Sequence, residues 1–145
     1  MPPVNAVHHA IRLTPGQDIK LQIKSFVETN NINAGWIVTC VGSLIQAHLR
    51  LAGQKEGKTF EGPFEIVSLV GTVSTAGSHL HICLSDSKGV TIGGHLLEGN
   101  QVHTTAEIIM GTSSAGRCES EELIFSRELD VETGWKELKI KTIPG

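Results

Sequence analysis

From residue 79 to residue 84 polar and apolar side chains alternate without a break: His79, His81 and Cys83 against Leu80, Ile82 and Leu84. A period of two is the mark of a strand with one buried face. After Ser85-Asp86-Ser87-Lys88-Gly89 the apolar positions resume at Val90, Ile92 and Leu96. This predicts a hairpin, with Gly89 supplying the left-handed backbone that a three- to five-residue loop uses. Setting Leu84 against Val90, Ile82 against Ile92 and Leu80 against Gly94 keeps one face apolar. That register places His79 opposite His95 and His81 opposite Gly93, whereas a slip of one residue splits the apolar face.

The remaining pattern predicts one helix and several more strands. A first strand spans 7–13, and Thr14-Pro15-Gly16-Gln17 then reads as a helix start: a threonine cap, a first-turn proline and a glutamine three residues on. Ile19, Ile23, Phe26 and Val27 make one apolar helical stripe, which Asn30 and Asn31 end. Residues 36–41 form a continuous apolar run, expected to be a strand buried on both faces. Gly42 and Ser43 suggest a bend. Beyond them Ile45, Ala47, Leu49 and Leu51 share one face, with Gln46, His48 and Arg50 on the other. A polar loop is expected over 53–63, a long strand apolar on both sides over 64–74, and another strand over 102–111. A second polar loop at 112–120 precedes two last strands near 122–130 and 135–142. The expected fold is a single α+β domain over residues 1–145: a mostly antiparallel sheet with one main helix packed on it.

The hairpin brings chemistry with it. Two histidines lie two apart on one strand, and a third comes from the partner strand at about 5 Å. Three imidazoles beside a side-chain-free glycine make an open metal site, in which water or substrate takes the fourth position. A pH-sensitive polar patch or an anion pocket is the competing reading. Cys83 shares the histidine face and is either a soft ligand or a small buried filler. Glu107 sits in the otherwise apolar run Ala106-Glu107-Ile108-Ile109. A carboxylate there is costly unless paired, protonated or liganded. It reads as a fourth ligand, a partner that orients a histidine, a general base, or an edge residue reaching solvent. Arg50 is a candidate anion clamp or an ordinary surface arginine. His48 and His103 are weaker candidates, and His8 and His9, near the start of the chain, are expected to be solvated.

Bulk properties narrow the function classes. The formal net charge is −3, with no lysine or arginine cluster, so the footprint of a duplex-DNA binder is missing. The three cysteines, Cys40, Cys83 and Cys118, are odd in number and show no C-x-x-C spacing; reduced thiols in a cytoplasmic setting are expected. The first residues hold no apolar run of a signal peptide, and no stretch is long enough for a membrane span.

Three segments then carry a resemblance: Gly62-Pro63-Phe64-Glu65-Ile66-Val67-Ser68-Leu69-Val70-Gly71, Ser78-His79-Leu80-His81-Ile82-Cys83-Leu84, and Gly93-Gly94-His95-Leu96-Leu97-Glu98-Gly99. Together with Thr-Pro-Gly-Gln, Leu49-Arg50 and the closing Asp130-x-x-Thr-Gly-Trp135, they resemble the plant and prokaryote conserved (PPC) domain family. The resemblance implies a homotrimer. In stand-alone members it also implies that His79, His81 and His95 ligate a metal close to a subunit interface. Plant members place the domain after AT-hook DNA-binding motifs; the Arg-Gly-Arg-Pro core of such a hook is absent here. The expected function is therefore a trimeric domain holding a divalent metal, zinc suiting three imidazoles best, with Glu107 and Arg50 available for catalysis on a small anionic molecule. The alternative is a DNA-associated regulator or a protein-interaction module, as in the plant branch. No particular reaction follows from the family.

Overall fold

The computed structural model describes residues 5–114 and 122–143. Strand β1 (Asn5–Leu13) leads to the helix α1 (Ile19–Thr29) and to strands β2 (Gly35–Arg50), β3 (Gly57–Ser74), β4 (Gly77–Ser85), β5 (Thr91–Leu96) and β6 (Gln101–Ser114). A final hairpin, β7 (Glu122–Leu129) and β8 (Lys136–Ile143), forms a sheet of its own. The six other strands lie in the order β1-β6-β2-β3-β4-β5 with antiparallel pairings. The far end of β2 also pairs with β5, which closes β2, β3, β4 and β5 into a ring. The architecture is the α+β arrangement expected.

The helix begins later than the sequence suggested. Asp18 is its cap, accepting from the Lys20 and Leu21 amides at 2.9 and 3.0 Å. Thr14 and Gln17 do bond to each other, at 2.7 Å from the Thr14 amide, but they close the turn before the helix instead of opening it. An aspartate offers the free first-turn amides a charged acceptor, which threonine cannot. The expected stripe holds: Ile19, Ile23 and Val27 are buried, and Asn30 caps the end.

Asp18 has a second task. Its other carboxylate oxygen accepts from the amides of Gly99 and Asn100, in the segment that follows β5. Asn100 is fully buried; its side-chain oxygen accepts from the His48 amide at 2.8 Å, and its amide nitrogen donates to the carbonyls of His48 and Leu97. Helix start, β2 and the end of β5 are thus pinned to one another. Asn100→Ala would leave the part-buried His48 N–H without its acceptor, and should cost about 1–3 kcal/mol of stability in urea unfolding.

Bulges account for the other departures. Residues 36–41 are not buried on both faces: Ile37 and Cys40 face the core, while Val38 and Val41 point outward. A register shift between Leu44 and Gln46 puts Ile45 outside, although Ala47 and Leu49 remain inside as expected. Strand β3 starts at Gly57, so half of the expected polar loop is extended chain, and only one face of its later half is buried. His9 is half-buried rather than solvated, 3.1 Å from the Thr112 hydroxyl and edge-on to Phe26. Residues 112–114 continue β6; the rest of the loop expected at 112–120, Cys118 included, lies outside the described residues. Cys40 is buried, and burial pushes its thiol up to about 12, so it stays protonated and acts as a small core group. No helix among the described residues is long and apolar enough to cross a membrane.

Candidate metal centre

The β4–β5 hairpin forms with the predicted apolar face, Leu80, Ile82, Leu84 and Leu96 being buried. Its register is displaced by two residues from the expected one. His81, not His79, is opposite His95; Ile82 faces Gly94, Cys83 faces Gly93 and Leu84 faces Ile92. The loop explains the difference. The Asp86 carboxylate accepts from the amides of Lys88 and Val90, and the Asp86 amide donates to the Val90 carbonyl. Val90 therefore belongs to the turn and is exposed. A two-residue displacement keeps every side chain on its own face, so hydrophobic alternation alone does not select against it.

The three histidines meet all the same. Their rings lie 4.9, 5.1 and 5.6 Å apart between centroids, and one nitrogen from each falls within 4.8 Å of the other two. The Nε2 atoms of His79 and His81 are 3.1 Å apart. Nitrogens bound to one tetrahedral zinc at about 2.0–2.1 Å stand roughly 3.3 Å from each other, so modest side-chain rotation closes the set on an ion. Cys83 is on the same face but does not join the group.

Two glycines make this approach feasible. Gly71 of β3 has φ +140°, and a Cβ there would strike the carbonyl oxygen of His79. A Cβ on Gly94 would lie 2.8 Å from the Arg50 carbonyl oxygen. Its absence lets β5 close on β2, where Arg50 pairs with His95.

The electrostatics favour the neutral form of two of these imidazoles, His95 and His79. Burial pushes His95 down to about 4, helped by the charges of Lys20 and Arg50 and by the other two histidines. His79 is also lowered, by burial first, then by His81, Arg127 and Arg50, with Glu137 opposing. Neutral imidazole is the ligating form. The Nδ1 atom of His95 is buried without a hydrogen-bond partner among the described residues. A donor set of three imidazoles, one with an orphaned nitrogen, fits a metal ion.

Beside the histidines opens a cleft of about 740 Å³, lined in part by Arg50, His79, His95, Arg127 and Trp135. Arg50 lies over the Trp135 ring, 4.4 Å from its centre. Of the residues singled out from sequence, Arg50 is thus brought to the histidines. Glu107 is not: it is exposed on β6, opposite Arg12 of β1 and Val41 of β2, and lines no part of this cleft. His48 donates from Nδ1 to the Glu98 carbonyl at 2.7 Å and is a structural residue; His103 is exposed on β6. Nothing local in the sequence marks Arg127. Only the docking of β7 through Phe125 and Leu123 beside Ala34 carries it to β3.

The family model described as the Plants and Prokaryotes Conserved (PCC) domain matches residues 4–114. The chain is similar to the bifunctional protein GlmU of a Synechococcus strain, 39% identical over all 145 residues, which amount to only 22% of that protein. Among solved structures, a hypothetical protein from Salmonella is 40% identical with a TM-score of 0.89, the match covering 97% of each chain. A protein of Archaeoglobus fulgidus described as metal-containing is 27% identical with a TM-score of 0.77, over 96% of this chain and 99% of that one.

Proposed function

The chain belongs to the Plants and Prokaryotes Conserved domain family, the family its sequence resembles, and on that premise we propose that it is a metal-binding domain centred on His79, His81 and His95. The observation that carries this reading is the convergence of three imidazole nitrogens within 4.8 Å, from two strands held in register by an independent apolar core. The metal-containing archaeal relative supports it. Zinc suits a set of three imidazoles best. A divalent ion there supplies Lewis acidity toward a water or a substrate oxygen. Arg50, beside His95, would hold an anionic group against that centre. Glu107 would act only by reaching a centre on another copy of the chain, since its own lies strands away.

The active assembly we propose is a homotrimer. Val38, Val41, Val67 and Val70 are 50%, 54%, 58% and 54% exposed. In the register running from Trp36–Thr72 to Ser43–Glu65, Val38 falls level with Val70 and Val41 with Val67. Four adjacent outward valines form an apolar patch that a further copy would cover. The net charge of −3 disfavours the alternative role on DNA.

The metal reading is tested by chelation. Removing the ion should leave far-ultraviolet circular dichroism unchanged, because the core does not depend on the histidines. It should lower the thermal midpoint, since an ion at a thousand times its Kd adds about 4 kcal/mol to the folded state. Identical melting with and without chelator would contradict the proposal.

A further inference from the structure

The wall of the cleft facing the histidines comes from the β7–β8 hairpin, beyond the residues 4–114 matched by the family model. Arg127 is its most distinctive element. Its Nη2 donates to the Thr72 hydroxyl at 2.6 Å, and Thr72 is the β3 partner of His79. Arg127 is therefore fixed on the His79 flank of the centre, as Arg50 is fixed on the His95 flank by strand pairing and by Trp135. Neither guanidinium has a carboxylate within ion-pair distance among the described residues, where Lys141–Glu128 is the ion pair found. The cleft lining holds three cations, Arg50, Arg127 and Lys136, against one carboxylate, Glu137. That is a net charge of +2 in a chain whose net charge is −3. A concave, partly apolar site with fixed and unpaired guanidinium groups focuses positive potential on whatever enters it.

We propose that Arg127 and Arg50 form a two-sided clamp for the oxyanion head of a small organic molecule. The head group, a carboxylate or a phosphate, would sit between the two guanidinium forks, the apolar body would rest against Leu97, Leu129 and Trp135, and a neighbouring oxygen would face the histidines. This assignment rests on the metal reading for the last contact only; the clamp itself is built from residues of this chain. Substrate selection then resides in the hairpin, and relatives that differ there would take different anions at the same centre.

The test titrates the 145-residue chain, loaded with zinc, with glycolate and separately with inorganic phosphate, by calorimetry. At least one probe should bind, and its identity tells a carboxylate from a phosphate head group. Arg127→Gln should weaken that binding roughly 10-fold or more, the worth of one charge-assisted contact. Arg127→Lys, which keeps the charge and loses the fork, should weaken it less. Metal per chain, measured on each variant, should stay at the wild-type value, and far-ultraviolet circular dichroism should show the fold intact. Equal affinity in wild type and Arg127→Gln, or no binding of either probe up to ~10 mM, would overturn the clamp. Loss of metal from the wild type with Arg127-dependent binding intact would sink the metal reading and leave the clamp standing.

Discussion

Replacing Val41 and Val67 together with glutamate is expected to release single chains of 15.6 kDa from an assembly of three times that mass. Both side chains are more than half exposed on one chain and make up one of the two level pairs of the outward valine patch. If another copy covers them, each glutamate carries a charge into an interface made for methyl groups. Several kcal/mol per ion is the usual cost, and a symmetric trimer would incur it six times. The monomeric fold should survive, because both positions face away from Ile37, Cys40, Ile66 and Leu69 in the core. Light scattering behind a sizing column reads the outcome. A wild type already at 15.6 kDa, or a double variant still assembled, would remove the trimer from the account.

His95→Ala should weaken zinc binding more than 100-fold. Removing a group that merely orients a ligand costs 10–100-fold, and His95 is proposed as a ligand itself. It is also the least exposed of the three, its pKa depressed to about 4, and it lacks any hydrogen-bond partner for Nδ1 among the described residues. The metal-free variant should be at least as stable as the metal-free wild type, because an unpartnered buried nitrogen is removed. Competition titration against a chelating dye measures the affinity, and urea unfolding the stability. A variant that binds zinc as the wild type does would show that the ion, if held, sits elsewhere.

Much of this was legible in the sequence where the physics is local. Alternation through Leu80, Ile82 and Leu84 shows which face of β4 is buried, and so puts His79 and His81 together on the other. The helix stripe through Ile19, Ile23 and Val27 is equally plain. Features that depend on loop or bulge geometry do not follow from apolar patterning. The register of β4 on β5 turns on how the Asp86 carboxylate folds its loop, and apolar patterning tolerates displacement by two residues. The outward turn of Ile45 turns on a bulge beside it. Thr14 and Gln17 carry the usual cap spacing, which masks Asp18 as the cap. The valines of β2 and β3 suggested burial within the chain, whereas their sheet face is open. Glu107 attracted notice for its apolar neighbours in sequence, yet those neighbours face the opposite way. Arg127 had no signal at all, since its place is decided by the docking of a hairpin onto a strand some fifty residues earlier.

The central claim is that three histidines hold one metal ion per chain. Elemental analysis of tag-free protein, dialysed against buffer with trace divalent metals, tests it most directly when wild type is compared with His79→Ala/His81→Ala. The account predicts close to one zinc per wild-type chain and none in the variant, with the two proteins alike in fold. Equal and negligible metal in both would contradict it.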